Sequence, residues 1–273
     1  MKIYFTKMVA SGNDFVLIDK NCRLPISNCR FLAKKICAPK FGIGADGLLI
    51  LEKSMVADVK MRIFNADGSE AQMCGNGARC VALYISRKFK KSTGCCLKIK
   101  TKAGIINAEV NKDNVRIKLT DPMELKPDIP IRLNNRILEV NFIHTGVPHA
   151  VVFVEGLEKI DVFNLGRHIR YHRQFKPAGT NVDFVEVINS HSIKVRTYER
   201  GVEGETLACG TGSVASALVT VYQLGITDYG KINVYTQSRE VLKVYFERQG
   251  DSFKNVWLEG RAKIVYTGCW HEE

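Results

Sequence analysis

The chain has 273 residues, 45% of them hydrophobic and 25% charged, which is the composition of a soluble globular protein with length for two modest domains. Disorder and collagen-like repeats are excluded. Forty Lys and Arg against 28 Asp and Glu give a net charge of +12, which favours an anionic partner without choosing among nucleic acid, a membrane surface and a small acid.

The N-terminal run Met1-Lys2-Ile3-Tyr4-Phe5-Thr6-Lys7-Met8 lacks the order of a signal peptide, and no apolar run reaches the roughly 18 residues that span a bilayer. A cytoplasmic location is the expectation. Strands are predicted at Asp58–Phe64, Cys96–Thr101, Gly104–Val110 and Val115–Leu119, several with β-branched residues in alternation. Between the first two, Ala78, Val81, Ala82, Ile85 and Phe89 recur at helical spacing after Cys74. Prolines 122, 127 and 130 interrupt the pattern, so a break between halves is expected in the stretch from Thr120 to Pro130. Beyond it come strands at Ala150–Val154 and Ser192–Tyr198, then a helix after Cys209 on Val214, Ala217, Leu218, Val221 and Leu224, with Gly225 as a stop. Strands at Ile232–Thr236, Glu240–Phe246 and Asn255–Glu259 follow, and a last one at Ala262–Tyr266 fits either half. The expected domains are 1–118, completed or not by 263–273, and 119–262.

Nine cysteines, at 22, 29, 37, 74, 80, 95, 96, 209 and 269, are odd in number and irregular in spacing, unlike a secreted disulfide framework. There is no Cys-x-x-Cys, and the six histidines form no pair at helical metal-ligand spacing, so no metal site is expected.

The chain repeats itself. Glu70-Ala-Gln-Met-Cys74-Gly75-Asn76-Gly77-Ala78 and Glu205-Thr-Leu-Ala-Cys209-Gly210-Thr211-Gly212-Ser213 both read Glu-x-x-x-Cys-Gly-x-Gly-small. A second echo pairs Asn13-Asp14-Phe15-Val16 with Asn181-Val-Asp183-Phe184-Val185, one residue longer. Two matches in the same order argue for two related α/β halves.

A cysteine just before a helix meets unpaired backbone N–H groups and the positive end of the helix dipole, which lowers a thiol's pKa. The same N–H groups can hold a substrate carboxylate, and the glycines permit close approach. Two such sites related by a repeat suggest two acid/base groups facing one substrate, the arrangement that inversion at a carbon bearing a removable proton needs. Taken singly, the motif also suits a tight turn with an inert buried cysteine. A nucleotide phosphate cradle is a third reading, though the spacing is not that of a dinucleotide fingerprint and no Lys-Ser/Thr follows.

Over nearly its whole length the sequence resembles the cofactor-independent diaminopimelate epimerases. The resemblance rests on Lys7-Met-Val-Ala-Ser-Gly-Asn-Asp-Phe-Val16, Gly42-Ile-Gly-Ala-Asp-Gly47, Phe64-Asn-Ala-Asp-Gly-Ser-Glu70, Met73-Cys-Gly-Asn-Gly-Ala-Arg79, Gly146-Val-Pro-His149, Gly179-Thr-Asn181 and Tyr198 through Gly212. It implies an α/β (α+β) fold of two pseudo-symmetric domains, each a strongly curved, mostly antiparallel sheet around a central helix, with the active site in the cleft between them. It implies conversion of LL- to meso-diaminopimelate for lysine and peptidoglycan synthesis, without pyridoxal phosphate or metal. The small-molecule substrate is then the partner, with no nucleic acid or membrane, and a homodimer is compatible with the resemblance.

Position by position, Cys74 and Cys209 match the catalytic thiols, and His149 and Glu199 the pair that tunes them. Asn13, Asn65, Asn181, Glu199 and Arg200 match substrate-binding positions, and the backbones of Gly75-Asn76 and Gly210-Thr211 match the cradle of the reacting carboxylate. The residues alone also allow Asn13 and Asn181 to cap turns, Glu199-Arg200 to be a surface ion pair and His149 to be a core histidine. Two positions depart from the family's pattern, where Val147 and Gly47 stand in place of pocket amides. Weaker discrimination at the distal amino-acid end is expected, with side activity on another amino acid such as glutamate. Two alternatives remain: another cofactor-independent racemase or isomerase of the same fold, and a basic nucleic-acid-binding protein. For the latter, only short clusters such as Arg87-Lys88-Phe89-Lys90-Lys91 and Arg167–Arg173 speak, and a solvated helix face explains them as well.

Overall fold

A computed structural model describes residues 2–19, 28–90, 94–133, 136–226 and 229–271; Met1, Cys22, Lys91 and the last two residues, named above, lie outside them. The first half of the chain forms β1 (Lys2–Ala10), β2 (Asn13–Asp19), α1 (Cys29–Cys37), β3 (Gly47–Glu52), β4 (Val59–Asn65), β5 (Glu70–Ala71), α2 (Gly75–Lys88), β6 (Cys95–Thr101), β7 (Gly104–Asn111) and β8 (Asn114–Lys118). The second forms β9 (Met123–Leu133), β10 (Arg136–His144), β11 (Pro148–Phe153), α3 (Val162–Arg170), β12 (Asn181–Asn189), β13 (Ser192–Glu199), β14 (Gly204–Thr206) and α4 (Gly210–Gln223). It closes with β15 (Tyr229–Thr236), β16 (Val241–Gln249), β17 (Ser252–Arg261) and β18 (Lys263–His271). Among the described residues the fold is mixed α/β, mostly strands with four α-helices.

The chain divides into two compact units, Met1–Ile117 with Gly260–Glu273, and Lys118–Glu259. In the first, hydrogen bonding runs β18-β1-β2-β3-β4-β6-β7-β8, with β5 paired to β4 and with β2–β3 and β4–β6 parallel. In the second it runs β9-β10-β11-β12-β13-β15-β16-β17, with β14 paired to β13 and with β11–β12 and β13–β15 parallel. Strand order and sense are the same. The units part between Ile117 and Lys118, just ahead of the stretch from Thr120 to Pro130 expected to divide them, and that stretch is itself mostly strand, since β9 runs through Pro127 and Pro130. Among the described residues β9 pairs only with β10, and an edge strand tolerates residues with no N–H to give.

Each unit has an inner and an outer helix. α4 carries no charged residue, and its stretch from Gly212 to Val221 is buried throughout while it packs against β10, β11, β12, β13, β15 and β16. Small residues (Gly212, Ser213, Ala215, Ser216, Ala217) let that many strands approach one helix. α2 is the counterpart, packing against β1, β2, β4, β6, β7 and β18. The outer helices are amphipathic: α1 turns Leu32, Ala33 and Ile36 onto Ile18, Ile50 and Phe64, and α3 turns Val162 and Ile169 onto Val152, Phe184 and Tyr198.

Candidate active site

Both inner helices begin at a cysteine. Cys74 caps α2 in an extended conformation and its sulfur accepts the Gly77 N–H at 3.5 Å. Cys209 caps α4 in the same conformation and its sulfur lies 3.4 Å from the Thr211 hydroxyl. The N–H groups of Gly75-Asn76 and Gly210-Thr211 open the two helices, where no intrahelical acceptor is available. Glycine is needed two residues on: a Cβ at Gly77 would sit 3.0 Å from Leu49 Cδ2, and one at Gly212 would sit 2.3 Å from Asp183 Oδ1.

The sheet registers align the units residue by residue. Cross-strand neighbours Val16-Leu48-Phe64-Glu70 correspond to Ala150-Val182-Tyr198-Glu205. One step along, Phe15, Gly47 and Asn65 correspond to His149, Asn181 and Glu199. This corrects the second sequence echo. Asn13 lies at the start of β2 and Asn181 at the start of β12, whose counterpart is β3, so those segments are not equivalent. The true counterpart of Asn13 is Val147, and that of Asn181 is Gly47; each position without an amide is the twin of one that has it. The repeated glutamates do hold equivalent places. Glu70 is paired with Arg62 at 2.8 Å and Glu205 with Arg196 at 2.7 Å, so both tie a short strand to its neighbour.

In the first unit, β1 and β2 are joined through Ser11 and Gly12, both at positive φ as a tight hairpin turn demands. The turn places Asn13, whose Oδ1 is buried without a hydrogen-bond partner among the described residues. Asn76 is buried, and its Oδ1 accepts from Arg79, a fully buried arginine that also donates to Ser11. Asn65 is exposed at the end of β4 and donates to Ser69. A Cβ on Gly47 would stand 3.0 Å from the Phe64 carbonyl and 3.3 Å from the Phe15 ring, so this place is already filled.

The second unit surrounds its cysteine with titratable groups. His149 and Asp183 are fully buried, with His149 Nδ1 2.7 Å from Asp183 Oδ2 and His149 Nε2 3.0 Å from Thr211 Oγ1. Asp183 Oδ1 accepts from Thr197, and Thr145 donates to the Thr211 carbonyl. Burial raises the Glu199 carboxyl above its usual range, opposed by the Thr206 hydroxyl and by His149. Burial also pushes the Cys209 thiol far up, and Glu199 and Asp183 add to this more than Thr211 and the Gly212 N–H take away. The expectation that the helix start acidifies both thiols is overturned at Cys209, where desolvation of the thiolate outweighs the dipole. Asn181 is held by main chain, donating one N–H to the Pro148 carbonyl and accepting from the Arg200 N–H, which leaves a second N–H and a second lone pair. Arg200 donates to the Ala178 carbonyl. Sequence reasoning missed Arg79, Asp183 and Thr197 as site residues; only their burial distinguishes them.

Among the described residues no group of three or more His, Cys, Asp and Glu is arranged to hold a metal ion, and no helix is long and apolar enough to cross a membrane. The family model described as diaminopimelate epimerase matches residues 5–125 and 141–265. The chain belongs to the diaminopimelate epimerase family. It is 42% identical to the diaminopimelate epimerase of Aquifex aeolicus (strain VF5), with 98% of both chains covered. To that of Carboxydothermus hydrogenoformans it is 46% identical, covering 97% of this chain and 98% of the relative. Solved structures share the fold at low identity. A Bacillus anthracis phenazine biosynthesis protein of the PhzF family matches with a TM-score of 0.78 at 17% identity over all of both chains. A hydroxyproline epimerase from Agrobacterium vitis matches at 0.73 and 14%, covering 98% of this chain and 91% of that one.

Proposed function

We propose that this member of the diaminopimelate epimerase family inverts one α-carbon of diaminopimelate by a two-base reaction in which Cys74 and Cys209 are the acid/base pair. The carrying observation is that these cysteines cap equivalent helices of two units with one strand order, in a chain over 40% identical along its length to diaminopimelate epimerases. One sulfur, as thiolate, takes the α-proton: the C–H bond breaks and an S–H bond forms. The opposite thiol gives its proton to the other face, so the net change is configuration alone. Burial keeps Cys209 a thiol at rest, the form that delivers a proton. With Cys209 as the acid, Cys74 is the base in that direction.

The first N–H groups of both helices, on Gly75, Asn76, Gly210 and Thr211, receive the reacting carboxylate and draw charge from the α-carbon as the proton leaves. The unpartnered Oδ1 of Asn13 suits an ammonium donor, and Asn65, Asn181, Glu199 and Arg200 complete the recognition of the substrate's polar ends. His149 and Glu199 set the protonation of Cys209. The product serves lysine and peptidoglycan synthesis in the cytoplasm, and no step requires a homodimer. With Gly47 and Val147 in place of amides, distal recognition loses about 1–3 kcal/mol per missing partner, and slow turnover of glutamate follows.

The test is incubation with LL-diaminopimelate in deuterated water, following α-proton exchange. Wild type incorporates solvent deuterium into the inverted product, while Cys74→Ser and Cys209→Ser each lose about 10³-fold or more in epimerisation. Full activity without either cysteine refutes the two-base reading.

A further inference from the structure

Behind its helix start the first unit buries Phe15, Leu49 and Ile63. At the equivalent register positions the second unit buries His149, Asp183 and Thr197. One site is apolar; the other holds an imidazole, a carboxylate and a hydroxyl at no more exposure. Substituting buried polar groups for well-packed apolar ones does not serve stability, because each must be desolvated and then fully partnered. Here every contact points one way. Thr197 donates to Asp183 Oδ1 at 2.7 Å, which leaves Oδ2 for His149 Nδ1, also at 2.7 Å. That bond fixes the proton on Nδ1 and leaves Nε2 bare. Nε2 faces Thr211 Oγ1 at 3.0 Å, and the same oxygen lies 3.4 Å from Cys209 Sγ. Gly212, lacking a Cβ, admits the Asp183 carboxylate to this position. Thr145 holds the Thr211 main chain in place.

We propose that the Thr211 hydroxyl carries the proton between Cys209 and His149, with Asp183 as the positioning residue that keeps His149 Nε2 free to receive it. A hydroxyl is one donor with two acceptor lone pairs, so it can take and give at once. As the Cys209 S–H bond breaks, a new O–H bond forms on Thr211; as the original Thr211 O–H breaks, an N–H bond forms on His149. The result is a thiolate at the start of α4, an unchanged threonine and an imidazolium against Asp183. Run backwards, the same steps restore the thiol. This rests on the two-base reading and supplies what that reading lacks, a way for a buried thiol to become a base when the reaction runs the other way. Among the described residues, the titratable groups beside His149 are Asp183 from β12 and Glu199 from β13, and Cys209 from α4 is reached through Thr211.

The test measures kcat and KM against pH, in both directions, for wild type, Thr211→Val, Thr211→Ser and Asp183→Asn, with thermal unfolding to check the fold. Thr211→Val keeps the shape and removes the hydroxyl. It should lower kcat about 100-fold in the direction that needs Cys209 as base and leave KM nearly unchanged. Thr211→Ser should restore most of the rate, and Asp183→Asn should lower kcat comparably by letting the ring take the wrong tautomer. An undiminished kcat in Thr211→Val, or a Thr211→Ser as impaired as the valine, overturns the relay. Wild-type protein inert towards diaminopimelate would instead sink the reading beneath it, so the two failures are distinguishable.

Discussion

Cys74 and Cys209 occupy the same position in their units and differ in what surrounds them. Each sulfur meets a backbone N–H of its own helix, but Cys74 is half-buried whereas Cys209 is buried next to two carboxylates. A thiol whose folded pKa is raised stays protonated at neutral pH and ionises only as the solution becomes strongly basic. In a Cys74→Ser background with the other thiols accounted for by mass spectrometry, alkylation of Cys209 by iodoacetamide should be slow at pH 7 and still accelerating above pH 9. A rate already level at neutral pH contradicts that assignment. The two cysteines were legible in the sequence because a repeated Cys-Gly-x-Gly leaves a local mark. Asp183 was not, since the local pattern Asn-Val-Asp-Phe carries no sign that its carboxylate ends fully buried between His149 and Thr197.

The short strands β5 and β14 immediately precede the cysteines and are held by paired charges. Arg62 and Lys102 hold the Glu70 carboxyl down at about 2, and Arg196 grips Glu205 with two nitrogens. A carboxyl with a depressed folded pKa contributes stability that is complete above its unfolded value near 4.5 and is lost as the pH falls towards about 2. The stability difference between wild type and Glu70→Gln, read from urea midpoints, should therefore be constant from pH 7 to 5 and shrink below pH 4. A difference that grows on acidification would reverse the sign. The strands that sequence alternation revealed, such as β6, β7 and β8, bury one face and expose the other. The central runs of β2, β3 and β12 are buried on both faces, so they carry no period of two and escape notice. The outer helices α1 and α3, at nine residues each, are too short for a helical period to stand out.

At the scale of the whole chain, the first unit needs residues from both ends. β18 pairs with β1 from Lys2–His271 to Val9–Lys263, Phe5 fills the space left by Gly268, and Trp270 packs on the apolar cluster beneath α1. Deleting residues 263–273 should strip hydrogen-exchange protection from the β1 amides while β12 and β13 keep theirs. Loss of protection in both sets at once would mean that the units unfold together. The two related halves were readable from the repeated motif, but the final strand fitted either half in the sequence, because pairing across more than 250 residues leaves no local trace.

The pairing of β1 with β18 also sets an order of manufacture. On the ribosome every residue of the second unit leaves the exit tunnel before β18 does, so that unit can close while the first still presents β1 as an open edge. The interval in which a nascent chain is vulnerable to pairing with a neighbour therefore runs from the emergence of β1 to that of β18, more than 250 residues later.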